Sequence, residues 1–197
     1  MKRTLLAISL AFGLTSAKAT IFQYTVNLDG PTEGNASLGT GSGTVDYDNV
    51  LHTLSVSVNF TGLTVAGSTG TTASHIHAAT VNPFTGTAGV ATTTPTFAGF
   101  PANVYSGTYS SVLNLTLSSS FNPSYVTANG GTLPSAEAAL ASAMASGRAY
   151  WNIHTSLFPG GEIRGFLVAV PEPSSMALAG LGALALVRWN RSRARKA

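Results

Sequence analysis

Odd and even positions along much of this chain differ sharply in polarity. In LHTLSVSVNF, residues 51–60, Leu54, Val56, Val58 and Phe60 share one parity and Thr53, Ser55, Ser57 and Asn59 the other. That is the period of a strand with one face in a core and one in solvent. FQYTVNL repeats it with Phe22, Tyr24, Val26 and Leu28, and VLNLTL repeats it with Leu113, Leu115 and Leu117. Residues 43–47, 73–78, 104–109, 149–155 and 162–170 supply the other predicted strands, separated by turn clusters such as DYDN and FNPS. The glycine-rich GTGSGT reads as a bulge or strand entry. One segment breaks the period: PSAEAALASAMASG, residues 134–147, predicts a helix. Ser135 is its expected N-cap, Glu137 suits its first turn, Gly147 closes its end, and Leu140 and Met144 form its buried side. The sum is an all-β chain: an antiparallel Greek-key β-sandwich with one short helix before the last hairpin.

The two ends of the 197-residue chain do not follow this pattern. Residues 1–19 carry Lys2 and Arg3, an apolar run from Leu5 to Leu14, and Ala17-Lys18-Ala19. This is the layout of a secretory signal peptide with its cleavage site. At the other end, residues 170–197 carry Pro171, Glu172 and Pro173, an apolar run from Met176 to Val187, and then Arg188, Arg191, Arg193, Arg195 and Lys196. The run is short for a bilayer span of about 20 residues, and the basic end would stay on the cytoplasmic side. This tail resembles the PEP-CTERM sorting signal of exported bacterial proteins. The resemblance implies transient insertion of the tail in the membrane, recognition by an exosortase-type enzyme, cleavage near the triplet, and delivery to the cell surface or matrix. The expected organisation is therefore a signal peptide over 1–19, a domain over 20–169 and a sorting tail over 170–197.

Removing the ends reverses the charge. Between residues 20 and 170 only Arg148 and Arg164 stand against Asp29, Glu33, Asp46, Asp48, Glu137 and Glu162, a net −4. The basic isoelectric point belongs to the ends, and a domain without a basic face has no footprint for nucleic acid. The chain has no cysteine, so neither disulfides nor thiolate chemistry enter. Signatures of nucleotide binding, of the nucleophile elbow and of the zinc proteases are absent.

Chemistry concentrates on the histidines. His75 and His77 flank Ile76, so on a strand they share a face about 6.6 Å apart and can converge on an ion at about 2.0–2.1 Å from each nitrogen. In AYWNIHT the parity sends Trp151 and Ile153 to one side and Tyr150, Asn152 and His154 to the other, which makes His154 the candidate third ligand. The competing reading has these histidines hydrogen-bonded to loop carbonyls or to Asn and Thr side chains. His52 opens its strand and is expected at an edge. Glu162 and Arg164, after the FPGG turn, share the parity of one face and are expected to pair or to bridge to neighbouring strands, a structural role alongside Asn152.

ASHIHAAT, followed at a distance by SGRAYWNIHTSLFPGGEIRGFL, resembles the CHRD domain over about residues 22–168. LDGPTEGNAS keeps Leu28, Gly30 and Glu33 of the family's N-terminal segment but lacks its Val-Pro. The resemblance implies an immunoglobulin-like sandwich and an exported binding module, without an established reaction. The order of His75, His77, His154 and Arg164 is also similar to that of the copper ligands and active-site arginine of Cu/Zn superoxide dismutase, another Greek-key sandwich. Its zinc ligands and disulfide have no counterparts here. The leading expectation is thus a non-catalytic, surface-sorted binding or matrix module that needs no cofactor, with an extracellular protein or polysaccharide as partner. The alternative is a copper or zinc site at His75, His77 and His154, with superoxide-dismutase-like chemistry.

Overall fold

The computed structural model describes residues 21–171. The expected signal peptide and the sorting tail beyond Pro171, with Glu172 and Pro173, lie outside the described residues. The elements are β1 (Ile21–Asp29), α1 (Gly30–Glu33), β2 (Thr40–Asp48), β3 (Thr53–Thr61), β4 (Thr71–Ala78), β5 (Gly107–Asn114), a 3-10 turn (Ser118–Ser120), α2 (Pro123–Ala128), α3 (Leu133–Ala145), β6 (Ala149–Thr155), β7 (Ile163–Phe166) and β8 (Val168–Ala169). Every strand pairing is antiparallel. The order is β4-β6-β7-β1-β2-β3-β5, with β8 also on β1. β4 leaves its sequence neighbours to pair with β6, so the chain crosses over in the Greek-key manner.

Curling of the sheet makes the sandwich. Phe97, from the loop between β4 and β5, sets its ring 5.7 Å from Trp151 on β6 and 5.9 Å from Tyr109 on β5. One side chain thereby joins β5, last in the order, to β6, next to its other end. The alternation read from the sequence lines the interior: Leu54, Val56, Val58 and Phe60 of β3 are buried with Tyr24, Val26 and Leu28 of β1 and with Trp151, Ile153 and Ile163. Each such side chain contributes roughly 1.5–3 kcal/mol by leaving water.

Local expectations change in four places. Residues 104–109 and 112–117, expected as two strands, supply one, β5, which ends at Asn114. There the Asn114 side chain accepts hydrogen bonds from the backbone N–H and hydroxyl of Thr116 and turns the chain, leaving Leu115 buried and Leu117 exposed. The cap of α3 is Thr132 rather than Ser135, which is instead the N3 partner of a capping box. Pro134 sits in the first turn, where an N–H would go unbonded anyway. Leu140 and Met144 are its buried side, as expected. FNPS is not a bare turn: Asn122 caps α2, and α1 and α2 accompany the one expected helix. Residues 162–170 break into β7 and β8 around the buried Leu167, with Glu162 left before β7.

Candidate metal centre

Register decides which polar side chains meet. β4 and β6 pair His75 with Asn152, His77 with Tyr150 and Ala73 with His154, and β7 continues the rows with Arg164 opposite Asn152 and Phe166 opposite Tyr150. By parity these residues occupy the face away from Ile76, Trp151 and Ile153. In a two-layer sandwich that face would be wet. Here β6 is buried at every residue. α1, the loop after β4 and the β6–β7 turn fold over it: Thr32 and Gly86 give carbonyls to Arg164, Glu33 pairs with it, Ala88 reaches His77, and Pro159 reaches His154.

His75, His77 and His154 are 6%, 8% and 8% exposed. Their candidate ligand nitrogens all lie within 4.8 Å of one another. The His75 ring centre is 4.8 Å from that of His77 and 4.7 Å from that of His154. The Nδ1–H of His77 donates to the Ala88 carbonyl at 2.8 Å, and that of His154 to the Pro159 carbonyl at 3.0 Å. A carbonyl can only accept, so each ring is the Nδ1–H tautomer and presents its Nε2 lone pair. Neither Nε2 has a hydrogen-bond partner, and neither nitrogen of His75 makes a hydrogen bond of normal geometry, although the Pro95 carbonyl lies near enough to that ring to act on its charge. Tyr150 stacks on His77 at 4.7 Å with the rings 7° from parallel, fixing that imidazole further.

All three rings are held neutral. Burial, then the neighbouring His154 and His77, lowers the His75 pKa to about 3, against a smaller opposing effect of the Pro95 carbonyl. Burial likewise lowers His77 to about 4 and lowers His154, with the Ala88 and Pro159 carbonyls opposing. Neutral imidazoles are the metal-binding form. Two nitrogens sharing one ion at about 2.0–2.1 Å each span roughly 4 Å at most. The 4.8 Å limit observed here therefore asks the rings to close by on the order of 1 Å. The donor set, all imidazole and without thiolate or carboxylate, suits copper or zinc and not calcium or magnesium.

Of the other expected residues, Asn152 and Arg164 stand on the histidine face, whereas the Glu162 carboxylate is held by a separate set of partners. Asn152, 1% exposed, directs its Nδ2 to Glu33 Oε2 at 3.3 Å and to the Gly160 carbonyl at 3.4 Å. Glu162 and Arg164 do not pair with each other. The Glu162 carboxylate accepts from Ser37 Oγ, the Thr64 N–H and Thr155 Oγ1 at 2.7, 2.6 and 2.6 Å. Burial alone would raise its pKa, but these bonds from Thr155, Thr64 and Ser37 outweigh it and hold the carboxyl low. Arg164 instead meets Glu33, with Nε 3.3 Å from Oε2, and lies 5.0 Å over the Tyr150 ring. Neutralised by Glu33, it is tied into the wall of the pocket.

Residues 24–167 match the CHRD domain. The chain belongs to the CHRD domain family. Residues 169–193 match the PEP-CTERM protein-sorting motif, so this CHRD domain is exported, sorted to the cell surface and a substrate of exosortase-type machinery. Searches of curated proteins and of solved structures return no match. The CHRD match spans nearly all of the described strands and every residue of the histidine cluster.

The competing reading, histidines bonded to loop carbonyls, holds for one nitrogen each of His77 and His154, and the structure identifies the carbonyls as those of Ala88 and Pro159. The Tyr150 stack and the Glu33–Arg164 pair have no signal in the sequence. The departing segment LDGPTEGNAS turns out to build α1, where Asp29 accepts from the Thr32 N–H at 2.6 Å and thereby sets Glu33 toward Arg164. At the opposite end of β3, His52 takes a left-handed φ of 53° and brings Nδ1 within 2.9 Å of Glu137, which also accepts from the Tyr47 hydroxyl at 2.8 Å. That trio fastens α3 to the β2–β3 turn.

Proposed function

We propose that this CHRD domain is displayed outside the cell as a non-catalytic binding module that holds one copper or zinc ion on His75, His77 and His154. A single observation carries the reading: three buried, neutral histidines present nitrogens without protein partners, and two of them have the opposite N–H fixed on a backbone carbonyl. An imidazole oriented through its second nitrogen is the usual metal-ligating arrangement. Leaving such buried acceptors without a partner costs about 1–3 kcal/mol each, which an ion offsets. Glu33, which reaches Asn152 on the same face, is engaged by Arg164, and the Glu162 carboxylate is taken up by three donors, which favours coordination over proton transfer. With its ligands buried beneath α1 and two loops, the ion would not itself touch a macromolecule; on the cell surface it would brace the domain that binds an extracellular protein or polysaccharide.

The test is metal content after exposure of the purified protein to copper or zinc and removal of excess. One equivalent is expected for the natural sequence, with His75→Ala and His154→Ala each reducing affinity at least 100-fold. Stoichiometric binding unchanged in both variants would overturn the site.

A further inference from the structure

Among the described residues, the buried side-chain atoms without a hydrogen-bond partner are Nδ1 and Nε2 of His75, Nε2 of His77, Nε2 of His154 and Oδ1 of Asn152. Their distribution is not scattered. Asn152 is the cross-strand partner of His75 and stands two residues from His154 on the same face of β6. Side chains so paired have Cβ atoms about 4.5–5.5 Å apart. The residues that carry the unsatisfied atoms are thus neighbours on one face of the β4–β6 pair.

An ion on three imidazoles accounts for the histidines and leaves the Asn152 oxygen. Its orientation is fixed by its partners. Nδ2 faces two acceptors, Glu33 Oε2 and the Gly160 carbonyl, so turning the amide over would set oxygen against oxygen. The close approach of Gly161, where a Cβ would collide with the Asn152 amide, confines it further. A fixed, buried, neutral acceptor beside three ligands calls for a donor. Three protein ligands leave the fourth position of a tetrahedral ion to water or another small molecule.

Resting on the metal reading above, we infer that the ion carries an exchangeable fourth ligand of protic type, water or a small hydroxylic or hydroperoxo species, and that Asn152 Oδ1 accepts its hydrogen bond. Asn152 is a positioning residue for that ligand. The pocket therefore discriminates between ligands that carry a proton and aprotic anions of similar size.

Cobalt(II) gives the site a visible spectrum, and azide serves as the aprotic competitor. The purified protein should take up one equivalent of cobalt, and azide should shift the visible bands saturably. In Asn152→Leu the displaced water has lost its acceptor, so azide should bind about two- to tenfold more tightly, the range set by one hydrogen bond. Cobalt uptake with a spectrum that ignores azide would overturn the inference and leave the metal site standing. Unchanged azide binding in Asn152→Leu, with cobalt uptake intact, would overturn the role of Asn152. Failure to take up cobalt would remove both readings together.

Discussion

Burying His75, His77 and His154 sets a pH dependence whose sign can be worked out. The unfolded chain binds a proton on each imidazole near the ordinary value of 6.5, whereas the folded domain refuses it until about pH 4 at His77 and about pH 3 at His75. Stability is then complete above pH 6.5 and falls as the pH drops from there toward those lower values, by roughly 1 kcal/mol per pH unit for each histidine. Chemical denaturation of the metal-free protein from pH 7.5 to 4 should show this decline, and His75→Leu should flatten it; a constant stability between pH 7 and 5 would contradict the burial argument. Glu162 titrates in a lower window. Its pKa is depressed, so its contribution is intact above the ordinary carboxylate range and is lost only as the pH falls below that range. Glu162→Ala leaves the Thr64 N–H and the Ser37 and Thr155 hydroxyls without their acceptor and should cost about 3 kcal/mol at neutral pH, more than Glu162→Gln, as read from urea midpoints.

At the scale of elements, the β6–β7 turn carries the precision of the pocket. Gly161 has φ of 134° and no room for a Cβ against the Asn152 amide, while a Cβ at the adjacent Gly160 would meet nothing within 4 Å. Gly161→Ala should therefore destabilise the domain by about 1–3 kcal/mol and, by displacing the turn that holds the Pro159 carbonyl on His154, weaken metal binding tenfold or more. Gly160→Ala should leave metal affinity unchanged; equal effects at the two positions would refute a specific role for the turn. The same turn marks where sequence reasoning stops. Parity along β4 and β6 put His75 and His77 on one face and His154 on the polar face of its own strand, because a strand's period is fixed by its backbone. The pairing of those two strands, which brings the three together, is set by the topology and not by parity. That loop carbonyls would meet the histidines was legible, but which ones was not, since the Ala88 and Pro159 carbonyls are backbone atoms that any residue offers, and Glu33 reaches Arg164 from a helix far away in the chain. At α3 the local signal was present but ambiguous: Thr132 and Ser135 are both capping residues, and the place of Pro134 decides between them. Thr132→Ala should cost about 1 kcal/mol.

On the scale of the whole molecule, the candidate centre lies at one end of the strand order. β4 carries two of the three ligands and joins the ladder through β6 alone, which carries the third. An ion shared by the two strands is a crosslink between the terminal strand and the rest of the sheet, and it also fixes the loops whose carbonyls hold His77 and His154. Binding only to the folded state stabilises by mass action, about 2.7 kcal/mol at a free metal concentration one hundred times Kd. For a domain of this size each kcal/mol moves the midpoint by about 2–4 °C, so zinc at that excess should raise Tm by roughly 5–10 °C. Hydrogen exchange should slow most at the amides of β4 and of the Pro159 turn, and least in β2 and β3, which the ion does not touch. Replacing Pro171-Glu172-Pro173 by alanines should alter surface delivery and leave this thermal shift intact, because all three ligands and their hydrogen-bond partners precede Pro171. A Tm that does not respond to zinc, or protection spread evenly over the sheet, would show that no ion joins β4 to β6.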